Sequence, residues 1–292
     1  MPDESDLNDD LLSALDGQAA PEPHALPPAC AITDVSVTFE DDTVLDGVSV
    51  AFPAHACTVI MGPSGSGKST LLKAAAGLAV PERGSVDILG VDPAHASDRD
   101  LETLRSRTGF VFQDGALWQN MTLYGNLALP LQYHRPDLDS GAVRERVLQL
   151  ARELRATTRL DLRPSQVSAG ERKVVSFARA IVTDPELLYM DEPTTSVDTE
   201  RVDLLIRKLR ELKERKVTIV SVTHNARIAS QIADYVVVMQ EGRILRFGSL
   251  REVSRSGDPE VERILTDVLS ETATYDGDIL ALLDPDTHTF LG

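Results

Sequence analysis

Residues 57–78 read CTVIMGPSGSGKSTLLKAAAGL, an apolar run, a glycine-rich turn and a helical pattern in immediate succession. CTVIM is apolar apart from one threonine and has the length of a buried strand. Residues 62–70, GPSGSGKST, then fit the pattern G-x-x-x-x-G-K-[ST]. KSTLLKAAAGL continues at helical spacing and stops at Gly77, with Pro81 shortly beyond. A strand that feeds a glycine-rich loop opening a helix is a cradle for anions. Gly62, Pro63, Ser64, Gly65, Ser66 and Gly67 let the backbone wrap a β-phosphate, and the helix N-terminus adds converging N–H groups. Lys68 reaches the β and γ oxygens, while Ser69, followed by Thr70, supplies a hydroxyl for Mg²⁺. A chance glycine-rich turn is the bland alternative, and it leaves both flanking elements unexplained.

A second carboxylate pair stands at the end of another apolar run, LLYMDEP at 187–193. Asp191 is placed to hold Mg²⁺, through water. Glu192, one residue on, is placed to polarise an attacking water as general base. Two acids capping the next helix would look the same in isolation. With a phosphate loop already present, the second acid favours hydrolysis over transfer to a substrate.

Around these motifs the chain reads as a single α/β domain with appendages. Of 292 residues, 42% are hydrophobic and only 4% aromatic, which suits an aliphatic core. No apolar run approaches the ~18 residues needed to span a bilayer, and the N-terminus lacks the regions of a secretory signal. Cys30 and Cys57 give neither a disulfide framework nor a metal spacing, so a reducing cytosol is expected. The formal charge is −17, but residues 1–28 carry seven acids and residues 271–292 five more, with no Lys or Arg in either segment. The body between them is only mildly acidic, which argues against a nucleic-acid partner; salt adaptation would give the same acidity. Residues 1–28 read as a disordered acidic tail in which DLLSAL forms at most a short helical turn, with ordered structure starting near Ala31. ITDVSVTFE and VLDGVSVAF alternate around an acidic turn as antiparallel strands. ELLYMDEP and KVTIVSVTH read as buried parallel strands flanking the helix RVDLLIRKLRELKE. YVVVMQEGRILRFGS reads as a hairpin around Glu241-Gly242. The expected division is a main domain over 29–253, its helical part at about 115–170, and a C-terminal helix with an acidic extension over 254–292.

In its ordered set of motifs the chain resembles the ATP-binding-cassette (ABC) ATPase subunits, over about residues 31–250. Gln113 in FVFQDGAL matches the Q-loop glutamine, and VSAGERK at 167–173 falls where the signature belongs. DEPTTSVD at 191–198 matches the Walker B and D-loop run, including Asp198, and His224 in SVTHN matches the switch histidine. Phe39 occupies the place of the adenine-stacking aromatic. The resemblance implies a P-loop NTPase with a RecA-like core, an antiparallel β subdomain and an α-helical subdomain. It implies ATP and Mg²⁺ as cofactors, with Gln113 also on the metal and Gln113, Lys68, Glu192 and His224 in the hydrolytic site. It further implies a homodimer with two ATP molecules between the copies, each phosphate loop facing the other copy's Ser168, Gly170 and Glu171. The signature departs from the family pattern at Ala169, usually glycine, and Glu171, usually glutamine or methionine. A working but atypical signature is expected.

A chain of this kind moves cargo only through separate integral-membrane permease subunits, which places it at the cytoplasmic face of the inner membrane. FQDGALWQNMTLYGNLALPLQ at 112–132 is similar to the corresponding segment of ATPases serving Mla/Mce-type lipid transporters. Trp118, Met121, Leu123 and Tyr124 are the expected lining of a groove for a permease helix. DPEVERIL from Asp258 also resembles the end of those ATPases, with Ile264 where phenylalanine is usual. The same resemblance suggests a Mce-domain substrate-binding protein and a small regulatory subunit as partners. The acidic extension over 271–292, where DILALL stands between acids, is expected to pack on the neighbouring ATPase or on a regulatory subunit, with a disordered solubilising tail as the alternative. A cassette for amino acids or lipoproteins is the first competing function. A non-transport cassette in translation or DNA repair is the second, and the tandem cassettes or long coiled coil usual there are not seen.

Overall fold

In the computed structural model, β1 (Pro28–Phe39) and β2 (Asp42–Pro53) pair antiparallel around the acidic turn, and β4 (Arg83–Ile88) adds antiparallel to the other edge of β1. The structure describes residues 27–40, 42–156 and 159–270. Strand β1 starts a few residues before Ala31, because Pro28 and Cys30 already pair with Pro53 and Phe52. The expectations for the two acidic tails lie outside the described residues, apart from Pro27 and Pro28.

The second sheet has six strands in the order β5-β6-β7-β3-β8-β9. These are β3 (Cys57–Met61), β5 (Thr108–Val111), β6 (Leu187–Asp191), β7 (Thr218–Val222), β8 (Tyr235–Gln240) and β9 (Arg243–Ser249). All pair in parallel except β8 with β9, the hairpin expected around Glu241-Gly242. Strands β3, β6 and β7 are buried along their whole length, which is why they read as continuous apolar runs. Side chains of β6, β7 and β8 alternate between two cores. Leu187, Tyr189, Val220, Val222, Val237 and Met239 point toward the three-stranded sheet. Leu188, Met190, Ile219, Val236 and Val238 point toward the helical side. Truncating a fully buried member such as Leu188 to alanine costs about 2–5 kcal/mol.

Helix α1 (Lys68–Ala75) follows β3 directly. Then come α2 (Asp98–Arg107), α3 (Leu123–His134), α4 (Ser140–Glu153), α5 (Ala169–Ile181), α6 (Thr199–Glu214), α7 (Ala226–Ile232), α8 (Leu250–Ser254) and α9 (Pro259–Ser270). Ser97, Thr122, Asp139, Ser168, Asp198, Asn225 and Ser249 cap α2 to α8 through their side chains, and Asp258 accepts from the first turn of α9. Helix α1 differs: it starts on Gly67 with no side-chain cap, so its first N–H groups keep their hydrogen-bonding capacity. Val261, Ile264 and Leu265 of α9 are buried in the helical-side core.

Candidate functional site

Register brings four loops together at the carboxyl end of the parallel strands. Val111 pairs with Met190, Asp191 with Val222, and Val222's neighbour Ile60 leads into Met61 and the glycine-rich loop. Adjacent strands run about 4.8 Å apart, so Gln113, Asp191, Glu192, His224 and the loop at 62–67 all leave the sheet at the same end. This is the end of the strands at which open α/β sheets bind ligands.

The glycine-rich loop cannot be rebuilt with side chains. A Cβ on Gly62 would lie 2.2 Å from Met239 O, and one on Gly67 2.8 Å from Val44 O. Gly65 and Gly67 take positive φ, 80° and 92°, a region that glycine enters without steric cost. Lys68 is buried, and its ammonium donates to Gly62 O at 2.8 Å and Pro63 O at 2.7 Å. Burial lowers its pKa, opposed by Glu192 and Asp191. Ser69 Oγ donates to Asp191 Oδ1 at 2.9 Å, and Asp191 itself is 2% exposed. The buried Ser66 Oγ has no protein partner. An uncapped helix N-terminus, a lysine, an orphaned hydroxyl and a hydroxyl–carboxylate pair form a donor set that fits a triphosphate and its Mg²⁺. Ser69 and Asp191 would hold the metal, with Gln113, which is exposed just past β5, the further candidate.

Glu192 sits beside this pair in a left-handed backbone conformation, φ 48°, fixed by its N–H donating to Val222 O at 2.9 Å. Such a conformation is uncommon for a non-glycine residue and concentrates at functional positions. Its Oε1 lies 3.2 Å from His224 Nε2, and its Oε2 accepts from the His224 backbone N–H at 3.4 Å. Burial pushes the Glu192 carboxyl up to about 7; the His224 N–H works against this, and Asp191 adds to it. A carboxyl that titrates near neutrality beside Asp191 and Lys68 has the properties of a general base.

The signature residues stand apart from this cluster. Ser168 caps α5, its Oγ accepting from Glu171 N at 3.2 Å. Glu171 Oε2 accepts in return from Ser168 N at 3.0 Å and Ser168 Oγ at 2.9 Å, a capping box. That backbone N–H holds the Glu171 carboxyl below the usual range, with Arg201 contributing from 4.0 Å. Ala169 is the first helical residue and is exposed, so its methyl is accommodated. Asp198 caps α6 and accepts from Arg201 twice, at 3.0 Å each. Phe39 ends β1 and is 55% exposed; across the turn, β2 brings Val44 against Gly67.

Sequence reasoning missed three features. Lys173 and Arg179 of α5 donate to backbone carbonyls of the Gln113 loop. Asn126, fully buried, accepts from Trp118 N and donates to Trp118 O and Thr122 O, fixing the segment before α3. The third is a groove that the expected lining residues, apart from Trp118, do not reach. A groove of about 490 Å³ lies between β5 and α3, with Trp118, Leu129, Pro130 and Tyr133 on its walls. Leu123 is not among them: it is 0% exposed, because α3 starts there and turns it into the core. Met121 and Tyr124 are half-buried away from the groove, and Tyr124 packs on the helical-side core.

Residues 45–195 match the family pattern described as ABC transporter. "Probable ribonucleotide transport ATP-binding protein mkl" of Mycobacterium leprae is 33% identical over 81% of this chain and 68% of its own length. "Sulfate/thiosulfate import ATP-binding protein CysA" of Yersinia pseudotuberculosis is 35% identical over 85% of this chain and 67% of its own. The chain thus spans about two thirds of these relatives' length. A bacterial ABC transporter cassette solved as a dimer superposes with a TM-score of 0.71 at 28% identity, covering 75% of this chain and 98% of that one. A structure described as the dimeric post-hydrolysis state of an ATP-binding cassette bound to ADP and Pi gives the same TM-score, identity and coverage.

Proposed function

The chain belongs to the ABC transporter family, and on that premise we propose that it is the ATP-hydrolysing subunit of a membrane transporter, acting as a homodimer around two ATP. The observation that carries this is the cluster of Ser69, Asp191, Glu192 and His224 at the carboxyl ends of the strands beside Lys68. Bound Mg²⁺ supplies charge neutralisation for the phosphate oxygens. Lys68 and the α1 N–H groups would hold the phosphates and Ser69 and Asp191, with Gln113, the metal; Glu192 is placed to take the proton of an attacking water, and His224 to orient that carboxylate. Phe39, exposed at the end of β1, would take the base. Ser168, Gly170 and Glu171 serve the ATP of the second copy, with Asp198 beside the interface. Their hydrogen bonds and ion pairs run to one another and to Arg201, which supports a role in trans rather than on their own chain's phosphate loop.

The permease is a separate membrane protein whose cytoplasmic helix enters the groove between β5 and α3. Two exposed aromatics, Trp118 at 58% and Tyr133 at 62%, support this site. Among the described residues no helix is long and apolar enough to cross a membrane; the chain sits peripherally at the cytoplasmic face of the inner membrane. For cargo we favour a phospholipid or other hydrophobic substrate of the Mla/Mce kind, with a Mce-domain protein and a small regulatory subunit in the complex. The segment at 112–132 supports that choice. The relatives' names, which refer to ribonucleotide and to sulfate or thiosulfate, favour import of a small polar solute as the second reading. Purifying the chain with its permease and measuring ATPase activity in phospholipid vesicles, with and without nucleotide or sulfate solutes, separates the two. Stimulation by solute alone overturns the lipid choice.

A further inference from the structure

The loop that carries Gln113 is fastened to the rest of the protein by two cations on one helix. Lys173 lies on α5, five residues beyond the Ser168 cap, and is only 4% exposed. Its ammonium donates to Phe112 O at 3.2 Å and to Gln113 O. Arg179, farther along the same helix, donates to Ala116 O at 2.8 Å and Gly115 O at 3.1 Å. Four carbonyls within five residues therefore accept from α5. The loop is shaped to present them: Gly115 and Ala116 both take positive φ, 81° and 42°, and Asp114 Oδ1 accepts from Ala116 N at 3.0 Å. A lysine is rarely buried without partners, and here backbone oxygens supply them. Helix α5 also sits tight on β5, since a Cβ on Gly109 would lie 2.2 Å from Ala180 O. The helix that ties down Gln113 is the one whose first turn is Ser168-Ala169-Gly170.

We propose that Lys173, with Arg179 as a second point of attachment, is a positioning residue that fastens the Gln113 loop to helix α5, so that the metal-site glutamine and the signature move as one body. The inference rests on the ATPase reading, because it gives that rigid link a use. A change at Gln113 on nucleotide binding displaces the signature that the same chain offers to its partner. One site thereby reports its occupancy to the other, and hydrolysis becomes cooperative in ATP. Lys173 acts through Gln113 and touches no substrate. Methionine fits its volume but donates nothing, leaving Phe112 O and Gln113 O without partners; arginine keeps the donors.

The test compares the full chain with Lys173→Met and Lys173→Arg, using fluorescent ATP for binding, hydrogen exchange for loop stability, and steady-state hydrolysis. The expected result for Lys173→Met is a nucleotide Kd within about twofold of wild type. Exchange at residues 112–116 rises at least tenfold, while α1 amides stay unchanged. The hydrolysis rate kcat falls at least tenfold, and its Hill coefficient falls toward one. Lys173→Arg restores all of these by at least half. Unchanged exchange at 112–116 in Lys173→Met overturns the proposal, and so does an equal rise in the loop and in α1, which marks general loosening. Absence of hydrolysis in the wild type defeats the ATPase reading alone, since exchange still decides the attachment.

Discussion

A Cβ on Gly170 would lie 2.7 Å from Ser196 O, in the turn that leads to Asp198. The neighbouring Ala169 is exposed at the start of α5 and meets no such limit. The signature therefore keeps a glycine where the D-loop backbone presses on it and gives one up where it does not. Gly170→Ala should lower stability by about 1–3 kcal/mol, as expected for overpacking. Ala169→Gly should change it by at most about 1 kcal/mol. Denaturant melts of the two variants check the asymmetry, and equal losses would contradict it.

Glu171 keeps both halves of its capping box with Ser168. Glutamine retains one accepting oxygen for the Ser168 N–H and removes a negative charge. Ala169→Gly combined with Glu171→Gln should preserve or raise ATPase activity; a clear loss shows that these departures are adaptations the site needs.

Burial raises the Glu192 carboxyl to about 7. An unfolded carboxyl ionises near 4.5. Between these values the folded state holds a proton that the unfolded chain has released, so folding stability falls as pH rises, with the full penalty above 7. Glutamine carries no such penalty. In EDTA and without nucleotide, Glu192→Gln should be more stable than wild type at pH 8 by about 1–3 kcal/mol, discounting for partial exposure. The gain should vanish near pH 4. A melting-temperature difference of a few degrees, about 2–4 °C per kcal/mol, is the readout.

Cys30 and Cys57 are both fully buried, and burial pushes each thiol up to about 12. Neither should react with a disulfide reagent at pH 8 in the native protein, and both should react in denaturant. Rapid native labelling would mean that the strands carrying them open locally.

Trp118 and Tyr133 project into the groove. Replacing either with alanine should change stability by no more than about 0.5 kcal/mol and leave the isolated chain's ATPase rate intact. Permease affinity should fall at least tenfold, measured by co-purification. Leu123→Ala, by contrast, should cost about 2–5 kcal/mol.

The phosphate loop was legible because its strand, turn and helix are contiguous, so local pattern alone fixes its geometry. The Asp191–Glu192 pair was legible for a related reason: a buried parallel strand is a short apolar run, and acids at its end have one place to go. Leu123 was misplaced because helical phase depends on where the helix begins. Thr122 fixes that point by capping, which moved Leu123 into the core and brought Tyr133 to the groove. Lys173 was missed because nothing in GERK, at a helix start, shows which of its cations turns inward. Only the packing of α5 against the Gln113 loop shows its ammonium turned inward.

Light scattering of Glu192→Gln with and without MgATP tests the account most directly. A monomer is expected without nucleotide and a dimer holding two ATP with it. Adding Ser168→Ala to that variant should abolish the dimer while leaving ATP bound to the single chain. A dimer that forms equally without ATP, or wild-type hydrolysis that persists unchanged in Glu192→Gln, would contradict it.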